Sequence, residues 1–258
     1  MLARWHRNLK LRKLFNLARY ARTFLQHDVG SWPEVIRAED FASRYRRVLM
    51  LAPHQDDEVF SLGGTLWSLA RQGASIDCVW FSRGRDPVRV PEAQRMMVAL
   101  QGGALGINSF PIADESVPVG KSREVIANLL RTHQPDLVCV PSIFDSHLDH
   151  MRLNIALSLA LGDVDVETDV LQYEVWNSLV PNMLIDISKV VEDKRRLMEV
   201  YASQLNEPER RYIERTLCLN RYRGMVNMVD YAEGALLTSS RQFMGYRTGL
   251  PAEALMQS

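Results

Sequence analysis

The chain has 258 residues, of which 47% are hydrophobic and 24% are charged, so it is long enough to bury a sizeable core, and we expect one main folded domain. This composition excludes disordered, collagen-like and low-complexity chains. The 31 Lys and Arg residues balance the 31 Asp and Glu residues, so no overall charge attracts nucleic acid, and we expect no nucleic-acid partner.

Residues 1–40 are predicted to form a basic amphipathic arm. Seven Lys and Arg residues precede the first acidic residue, Asp28, and apolar residues recur at helical spacing between Leu14 and Leu25. Such a helix can pack on its own domain, lie on an anionic membrane surface or contact a partner protein. The sequence leaves these three alternatives open.

The compartment predicted from the sequence is the cytoplasm. Charges interrupt the N-terminal segment at short intervals, unlike a secretory signal, and no run approaches the ~20 apolar residues that span a bilayer. Three cysteines, an odd number without C-x-x-C spacing, fit a reducing compartment. If the arm lies on lipid, the protein is peripheral at the inner membrane face.

From about residue 41, short apolar runs alternate with longer segments of helical period. The runs end at Ala52, Phe81, near Phe110, at Pro141 and at Trp176, and the helical segments between them cover residues 60–72, 92–105, 119–133 and 149–161. This alternation predicts parallel strands joined by right-handed crossovers, with helices on both faces. The predicted fold is a Rossmann-like three-layer α/β sandwich with a mostly parallel sheet.

The predicted domain covers residues 41–258, and its C-terminal part adds further elements. A further strand begins at Leu184 and a helix follows over residues 189–204. From about residue 205 the pattern predicts a helical part, with Gly224 as a helix stop. No internal repeat or Gly/Ser linker divides the chain.

Three carboxylates and one imidazole follow the first predicted strand directly. They are His54, Asp56, Asp57 and Glu58, within five consecutive residues. Acids packed so closely repel each other by on the order of several kcal/mol at reduced dielectric unless a cation neutralises them. A divalent metal ion would remove this repulsion.

A second polar cluster follows the fourth predicted strand, where Asp145, His147, Asp149 and His150 occur together. In a doubly wound sheet the first and fourth strands are neighbours, so the two clusters are expected to face each other at the ligand crevice. The acids alone could be ordinary first-turn residues stabilised by helix dipoles. That explanation leaves the histidines without a role, so we favour a metal site.

Two imidazoles, one carboxylate and an open position form a ligand set typical of zinc hydrolases. Fe²⁺ would accept the same set, so these ligands fit either element. Calcium and magnesium prefer oxygen ligands alone.

These residues resemble the PIG-L/LmbE-like zinc-dependent N-deacetylases, which act on N-acetylglucosamine conjugates and related amides. The family motif HPDDE corresponds to HQDDE at residues 54–58, and HPDH corresponds to HLDH at residues 147–150. Gln55 and Leu148 replace the prolines of the family pattern. Loss of proline removes a φ restraint from each loop but no reacting group.

The resemblance implies a role for each polar motif residue. The implied metal ligands are His54, Asp57 and His150. Asp56 would be the general base that activates water, and His147 the general acid or oxyanion stabiliser. Asp149 would orient the His147 imidazole and stabilise its charge.

The residues that would bind the substrate are marked less clearly. By position in the family pattern, Arg89 and Asp114 would hold sugar hydroxyl groups, although a surface Arg and a turn Asp are common in any protein. Tyr173 and Trp176 could stack on a sugar ring or complete the core, and we favour the core.

The predicted function is removal of an N-acetyl group from an N-acetylated amino sugar or its glycoconjugate, with release of acetate. The cofactor implied is Zn²⁺, and the partner implied is the N-acetylated sugar substrate. Alternatives are hydrolysis of another amide and a non-catalytic adaptor on the same fold. The sequence does not predict the oligomeric state.

Overall fold

The structure is a computed structural model that describes residues 32–81, 88–101, 117–205 and 211–245. The strands in these ranges are β1 (Glu34–Arg37), β2 (Arg47–Ala52), β3 (Ser75–Trp80), β4 (Leu137–Pro141), β5 (Asp169–Tyr173), β6 (Met183–Asp186) and β7 (Ala232–Ser239). The helices are α1 (Ala38–Ala42), α2 (Asp57–Arg71), α3 (Arg89–Gln101), α4 (Val119–His133), α5 (Leu148–Leu161), α6 (Val191–Glu199), α7 (Tyr212–Val226) and α8 (Ser240–Gly245), with a 3₁₀ turn at Ala202–Gln204.

The described strands form one sheet in the order β1-β6-β7-β5-β4-β2-β3. Within it, β7 runs antiparallel to β5 and β6, and the other neighbouring pairs are parallel. Helices cover both faces. The predicted α/β sandwich with a mostly parallel sheet is therefore confirmed.

Strand β2 shows why its sequence reads as a nearly continuous apolar run. Leu49 and Leu51 face a core that includes residues of α4 and α5, whereas Val48 and Met50 face a second core that includes residues of α2 and α3. Because both faces of a parallel strand are buried, successive side chains are apolar rather than alternately apolar and polar. Strand β2 is therefore covered by a core on each of its two faces.

The pairing of β2 with β4 positions the two motifs. Val48 lies opposite Leu137 and Met50 lies opposite Cys139, in parallel register. The carboxyl ends of the two strands therefore open at the same edge of the sheet, and the segments that follow them meet there. The expected adjacency of the first and fourth predicted strands is confirmed.

The predicted ends of several elements differ from those observed. The predicted arm is described only from residue 32, and its residues 34–37 form β1, which pairs with β6, so the sheet begins before the predicted boundary at residue 41. The fifth predicted strand ends at Tyr173 rather than Trp176. The short strand predicted near Phe110 lies outside the described residues.

The sequence predicts a helical part from about residue 205, but the structure contains a strand there as well. Between α7 and α8 lies the eight-residue strand β7, which occupies a central position between β5 and β6. Its sequence AEGALLTS begins with Ala, Glu and Gly, which are depleted in strands, and its burial between two strands overrides that preference.

Gly224 does not stop α7, which continues to Val226. A Cβ atom on Gly224 would lie 2.6 Å from the backbone oxygen of Val229. Glycine is required here because the chain folds back closely against the helix. None of the helices in the described ranges combines the length and apolar character that crossing a membrane requires.

Candidate metal centre

His54 and Asp57 come together in the turn between β2 and α2. The backbone amide of His54 donates to Asp57 Oδ2 at 3.0 Å, and His54 Nδ1 lies 3.1 Å from the same oxygen. Asp57 is the first residue of α2 and is buried, so the positive end of the helix dipole also faces its carboxylate. The ionised form of Asp57 is favoured because the His150 and His54 imidazoles outweigh the effect of burial and hold its pKa well below the usual value.

The first turn of α5 brings His150 to the same carboxylate. His150 is completely buried, and its Nε2 lies 3.4 Å from Asp57 Oδ2. The rings of His54 and His150 have their centroids 5.6 Å apart. The three residues that the sequence predicted as metal ligands thus converge from both motifs, with one donor atom of each lying within 4.8 Å of the others.

The arrangement of these donors fits a divalent metal ion. Two ligands of a tetrahedral zinc ion, each about 2.1 Å from the metal, are about 3.4 Å apart. The two imidazole nitrogens approach Asp57 Oδ2 at 3.1 and 3.4 Å. Both ring nitrogens of His150 are buried, and their contacts with Asp57 and Asp145 are not aligned as good hydrogen bonds, so a bond to a metal ion would satisfy Nε2.

A second carboxylate lies behind His150. Asp145 Oδ2 is 3.3 Å from His150 Nδ1, the nitrogen on the far side of the ring from Asp57. Contacts of this kind fix the tautomer and orientation of a metal-binding histidine. The sequence analysis includes Asp145 in the second cluster but gives it no role. The signal available in the sequence is an acidic residue five positions before the proposed ligand His150.

Asp56 lies beside the proposed ligands but is held differently. Its backbone φ is 120°, a left-handed value that a non-glycine residue adopts only at some energetic cost, and its amide donates to Glu58 Oε2 at 3.1 Å. Burial, together with the negative charge of Asp57, raises the pKa of Asp56 well above its usual value, and the Arg89 guanidinium opposes that shift. Asp56 is thus suited to accept and hold a proton.

Glu58 faces away from the donor cluster and serves the structure of the turn. Its carboxylate accepts hydrogen bonds from Trp80 Nε1 at 3.0 Å and from the Tyr201 hydroxyl. Burial raises the Glu58 pKa to about 7, although both hydrogen bonds favour the ionised form.

His147 caps the N-terminus of α5 and lies near the other two imidazoles. Its ring centroid is 4.9 Å from that of His54 and 4.9 Å from that of His150. Its Nδ1 accepts a hydrogen bond from the Asp149 backbone amide at 3.2 Å. The neutral ring therefore carries its proton on Nε2, the remaining nitrogen.

The Asp149 carboxylate lies near both His54 and His147. Asp149 Oδ2 is 3.4 Å from His54 Nε2, while Oδ1 accepts from the Val117 amide at 3.0 Å and from Arg152 at 3.3 Å. One carboxylate oxygen of Asp149 also lies within 4.8 Å of a ring nitrogen of His147, whose hydrogen bond with Asp149 is made by the backbone amide. The role of this carboxylate in orienting His147 therefore stays a prediction, and the structure adds a contact with His54.

Helix α2 is broken after its first turns, and a buried ion pair fills the break. The backbone is non-helical at Leu62, and the amides of Gly64 and Thr65 both donate to the Glu233 carboxylate at 2.9 Å. Lys194 Nζ, on α6, lies 2.7 Å from Glu233 Oε1, and both side chains are buried. This pair joins α6 and β7 to the helix that carries Asp57.

The residues predicted to contact substrate are only partly described. Arg89 is half-buried, its Nη1 lies 3.7 Å from Asp56 Oδ2, and its Nη2 donates to Gln204. Asp114 lies outside the described residues. Tyr173 is a core residue whose hydroxyl donates to the Leu51 carbonyl at 2.8 Å, but Trp176 is 53% exposed, so the core interpretation holds for Tyr173 alone.

Comparison with known proteins finds a family model and relatives that are similar to this chain. Residues 49–161 match the family model described as PIG-L, GlcNAc-PI de-N-acetylase, and this stretch contains both motifs. The chain is 26% identical over 220 residues to diacetylchitobiose deacetylase of Thermococcus kodakarensis, covering 73% of this chain and 82% of the relative. It is also 26% identical over 214 residues to 2'-N-acetylparomamine deacetylase of Streptomyces fradiae, covering 64% and 75%.

Solved structures share the fold. N,N'-diacetylchitobiose deacetylase from Pyrococcus horikoshii superposes with a TM-score of 0.68 at 19% identity, covering 91% of this chain and 96% of that one. The 4-carboxy-2-hydroxymuconate hydratase from Pseudomonas putida superposes with a TM-score of 0.63 at 21% identity, covering 75% and 96%. Since the fold carries both reactions, the reaction has to be argued from the site.

Proposed function

We propose that this chain, a PIG-L-like protein, is a metal-dependent N-deacetylase that hydrolyses the acetamido group of an N-acetylated amino sugar or glycoconjugate. The products would be acetate and a free amine. The observation that carries this proposal is the convergence of His54, Asp57 and His150 beside Asp56 and His147. The two curated relatives, both named as deacetylases of amino-sugar compounds, support the same reaction.

Zn²⁺ is the metal we propose, held by His54, Asp57 and His150. When bound, it supplies a Lewis acid that polarises an amide carbonyl and lowers the pKa of water towards neutrality. Fe²⁺ suits the same ligands, so the metal content of the purified protein decides between the two. Because the ligands must lose protons before they bind a cation, we expect binding to weaken as the pH falls.

Asp56 is proposed as the general base. Its neighbour Asp57 faces the two imidazoles, which leaves Asp56 directed towards Arg89 and available to accept a proton from water. Burial favours its protonated form, so it can hold that proton and deliver it to the departing amine.

His147 is proposed to stabilise the oxyanion that forms during amide hydrolysis. With Nδ1 accepting from the Asp149 amide, Nε2 carries a proton that can be donated to a developing negative charge. Burial and the nearby His150 and His54 lower the His147 pKa, so the ring acts as a neutral hydrogen-bond donor near pH 7.

Arg89 and Asp114 remain the proposed sugar contacts. Arg89 is anchored through Gln204, at the edge of the candidate site next to Asp56, which suits a guanidinium that binds a substrate hydroxyl. The protein is proposed to act in the cytoplasm. For the arm, whose first 31 residues lie outside the described ranges, the proposals remain packing on its own domain, contact with an anionic membrane face and contact with a partner.

Acetate release from a panel of N-acetylated sugars and N-acyl amino acids tests the proposed function. We expect turnover of at least one N-acetylated amino sugar by the wild-type protein and none of the acyl amino acids. Asp56→Asn should retain the metal, measured by elemental analysis, and lose roughly 10²–10⁴-fold in kcat. Full activity of Asp56→Asn would remove Asp56 from the role of base, and hydrolysis of the acyl amino acids alone would overturn the sugar assignment.

A further inference from the structure

A cleft of about 290 Å³ lies beside the candidate metal centre, between α2, α7 and the segment that follows β5. Three aromatic side chains line it: Phe60 of α2, Trp176 and Tyr212 of α7. The metal centre and the proposed mechanism use none of them. We call this space the aromatic cleft.

The aromatic residues of the cleft form a continuous series of ring contacts. Trp176 meets Tyr212 edge to face, with centroids 5.9 Å apart and planes at 84°, and Tyr212 meets Phe60 at 6.0 Å and 70°. Perpendicular rings hold each other in place, yet Trp176 remains 53% exposed. The exposed indole of Trp176 is therefore a large, rigid surface on which a ligand in the cleft can pack.

The aromatic cleft also has polar lining residues, among them Ser61, Glu174, Thr216 and Asn220. Asn220, 4% exposed, donates through Nδ2 to the Ala232 carbonyl at 3.1 Å, which fixes the orientation of its amide. A lining that combines aromatic and polar residues favours a ligand that has both apolar and hydroxyl surfaces.

The aromatic cleft and the metal centre are joined through Asp145. Its Oδ2 accepts from the Trp176 amide at 3.0 Å and lies 3.3 Å from His150 Nδ1. Phe60 follows Asp57 by one turn of α2. Residues of the cleft lining therefore contact, or lie one helical turn from, residues of the proposed metal centre.

We propose that the aromatic cleft is a carbohydrate subsite that binds the sugar ring adjoining the N-acetylated residue of the substrate. This inference rests on the proposed function and narrows the substrate class to compounds of at least two rings. The apolar face of a pyranose ring stacks on the Trp176 indole, and its hydroxyl groups face the polar residues of the lining, among them Glu174 and Thr216.

The size and polarity of the cleft favour a sugar ring over an acyl chain. A volume of about 290 Å³ is at the lower end for small-molecule sites and suits one ring. An alkyl chain would displace water from the polar residues of the lining, among them Glu174 and Thr216, without replacing its hydrogen bonds. Proteins recognise ligands that have both apolar and hydroxyl surfaces through aromatic faces combined with a few fixed polar groups.

The test compares kcat/KM for N-acetylglucosamine and N,N'-diacetylchitobiose in the wild-type protein and in Trp176→Ala. We expect the wild type to prefer the disaccharide, and Trp176→Ala to lower kcat/KM for it about five- to tenfold, mainly through KM, with the monosaccharide unchanged. Trp176→Phe should restore most of the loss, since a phenyl ring still stacks. Tyr222→Ala, which removes a 56% exposed aromatic from α7 outside the cleft lining, is the matched control and should behave as wild type.

Each other outcome has a defined meaning. An equal loss on both sugars in Trp176→Ala, or equal wild-type kcat/KM for both, overturns the subsite while leaving the deacetylase function intact. A loss on the octyl glycoside of N-acetylglucosamine but not on the disaccharide assigns the cleft to an acyl chain and overturns it as well. Failure of the wild type to release acetate from any N-acetylated sugar overturns the proposed function itself, whatever the variants do.

Discussion

The candidate metal centre and the aromatic cleft adjoin each other, yet they are built from the chain in opposite ways. The metal centre takes its donors from two stretches, residues 54–58 and 147–150, each continuous in sequence. The cleft takes its lining from separate elements, among them Phe60, Trp176, Tyr212 and Asn220. The metal donors are charged or imidazole side chains that lie close together in the sequence, so the sequence alone identifies them. The residues that line the cleft are common aromatic and polar types, and they become recognisable as a site only when the fold brings them together.

The largest expected effect follows from Asp57→Asn, which removes the carboxylate that both imidazoles approach. The side chain keeps its shape but loses the charge that a cation requires, so metal binding and acetate release should both collapse, with a loss of at least about 10³-fold in kcat. Metal content by elemental analysis and kcat by acetate release measure this. Retained metal with lost turnover would assign Asp57 to chemistry rather than to binding.

The same variant separates the two regions. If the cleft recognises sugar independently of the metal, Asp57→Asn should still bind N,N'-diacetylchitobiose, detected by saturation-transfer NMR, within about threefold of wild type. Loss of sugar binding together with the metal would show that the two regions form one unit.

Lys194→Met should produce the next largest effect, on stability. It leaves the Glu233 carboxylate buried without its cation, and removal of one partner of a buried pair costs about 3–5 kcal/mol. Urea unfolding measures this loss, and Lys194→Met combined with Glu233→Gln should recover part of it, because the second change removes the unpaired charge. A cost below 1 kcal/mol for Lys194→Met would contradict the idea that the pair supports the break in α2.

Asp145→Asn should affect both regions at once, because Asp145 contacts His150 and the Trp176 amide. Loss of a carboxylate behind a metal-binding histidine lowers metal affinity about 10–100-fold. We also expect a smaller preference for the disaccharide over the monosaccharide, because Trp176 loses its anchor. Competition with a metal chelator and the ratio of kcat/KM values measure the two effects; a change in the first alone would show that Trp176 is held by other contacts.

The features that the sequence predicted correctly are those that short continuous stretches encode, and the features that it missed depend on contacts between distant segments. The strands β2 and β4 could be located because burial on both faces requires continuous apolar runs, and the motifs followed them directly. Strand β7 could not, since its Ala, Glu and Gly residues become a strand only through its neighbours β5 and β6. The direction of the Asp149 carboxylate depends on the turn geometry of both motifs, which spacing alone does not reveal.

Glu58→Gln gives the smallest effect and separates a structural motif residue from its catalytic neighbours. Burial raises the Glu58 pKa to about 7 in the folded protein, whereas an unfolded chain has the ordinary value near 4.5. The folded state therefore keeps a proton that the unfolded state loses, and the contribution of Glu58 to stability declines as the pH rises from 4.5 towards 7. Between pH 5 and pH 7 the wild type should lose about 2 kcal/mol of unfolding free energy relative to Glu58→Gln, which has no such proton to lose.

Urea unfolding of both proteins over this range tests the sign as well as the size, since the other titrating groups are common to the two. Parallel pH profiles would show that Glu58 is ionised in the folded state, with its charge carried by the hydrogen bonds from Trp80 and Tyr201. Because Glu58 contributes hydrogen bonds and not a donor atom to the cluster, Glu58→Gln should also keep its metal. That retention would distinguish it from Asp57→Asn, a carboxylate-to-amide change one residue away in the same turn.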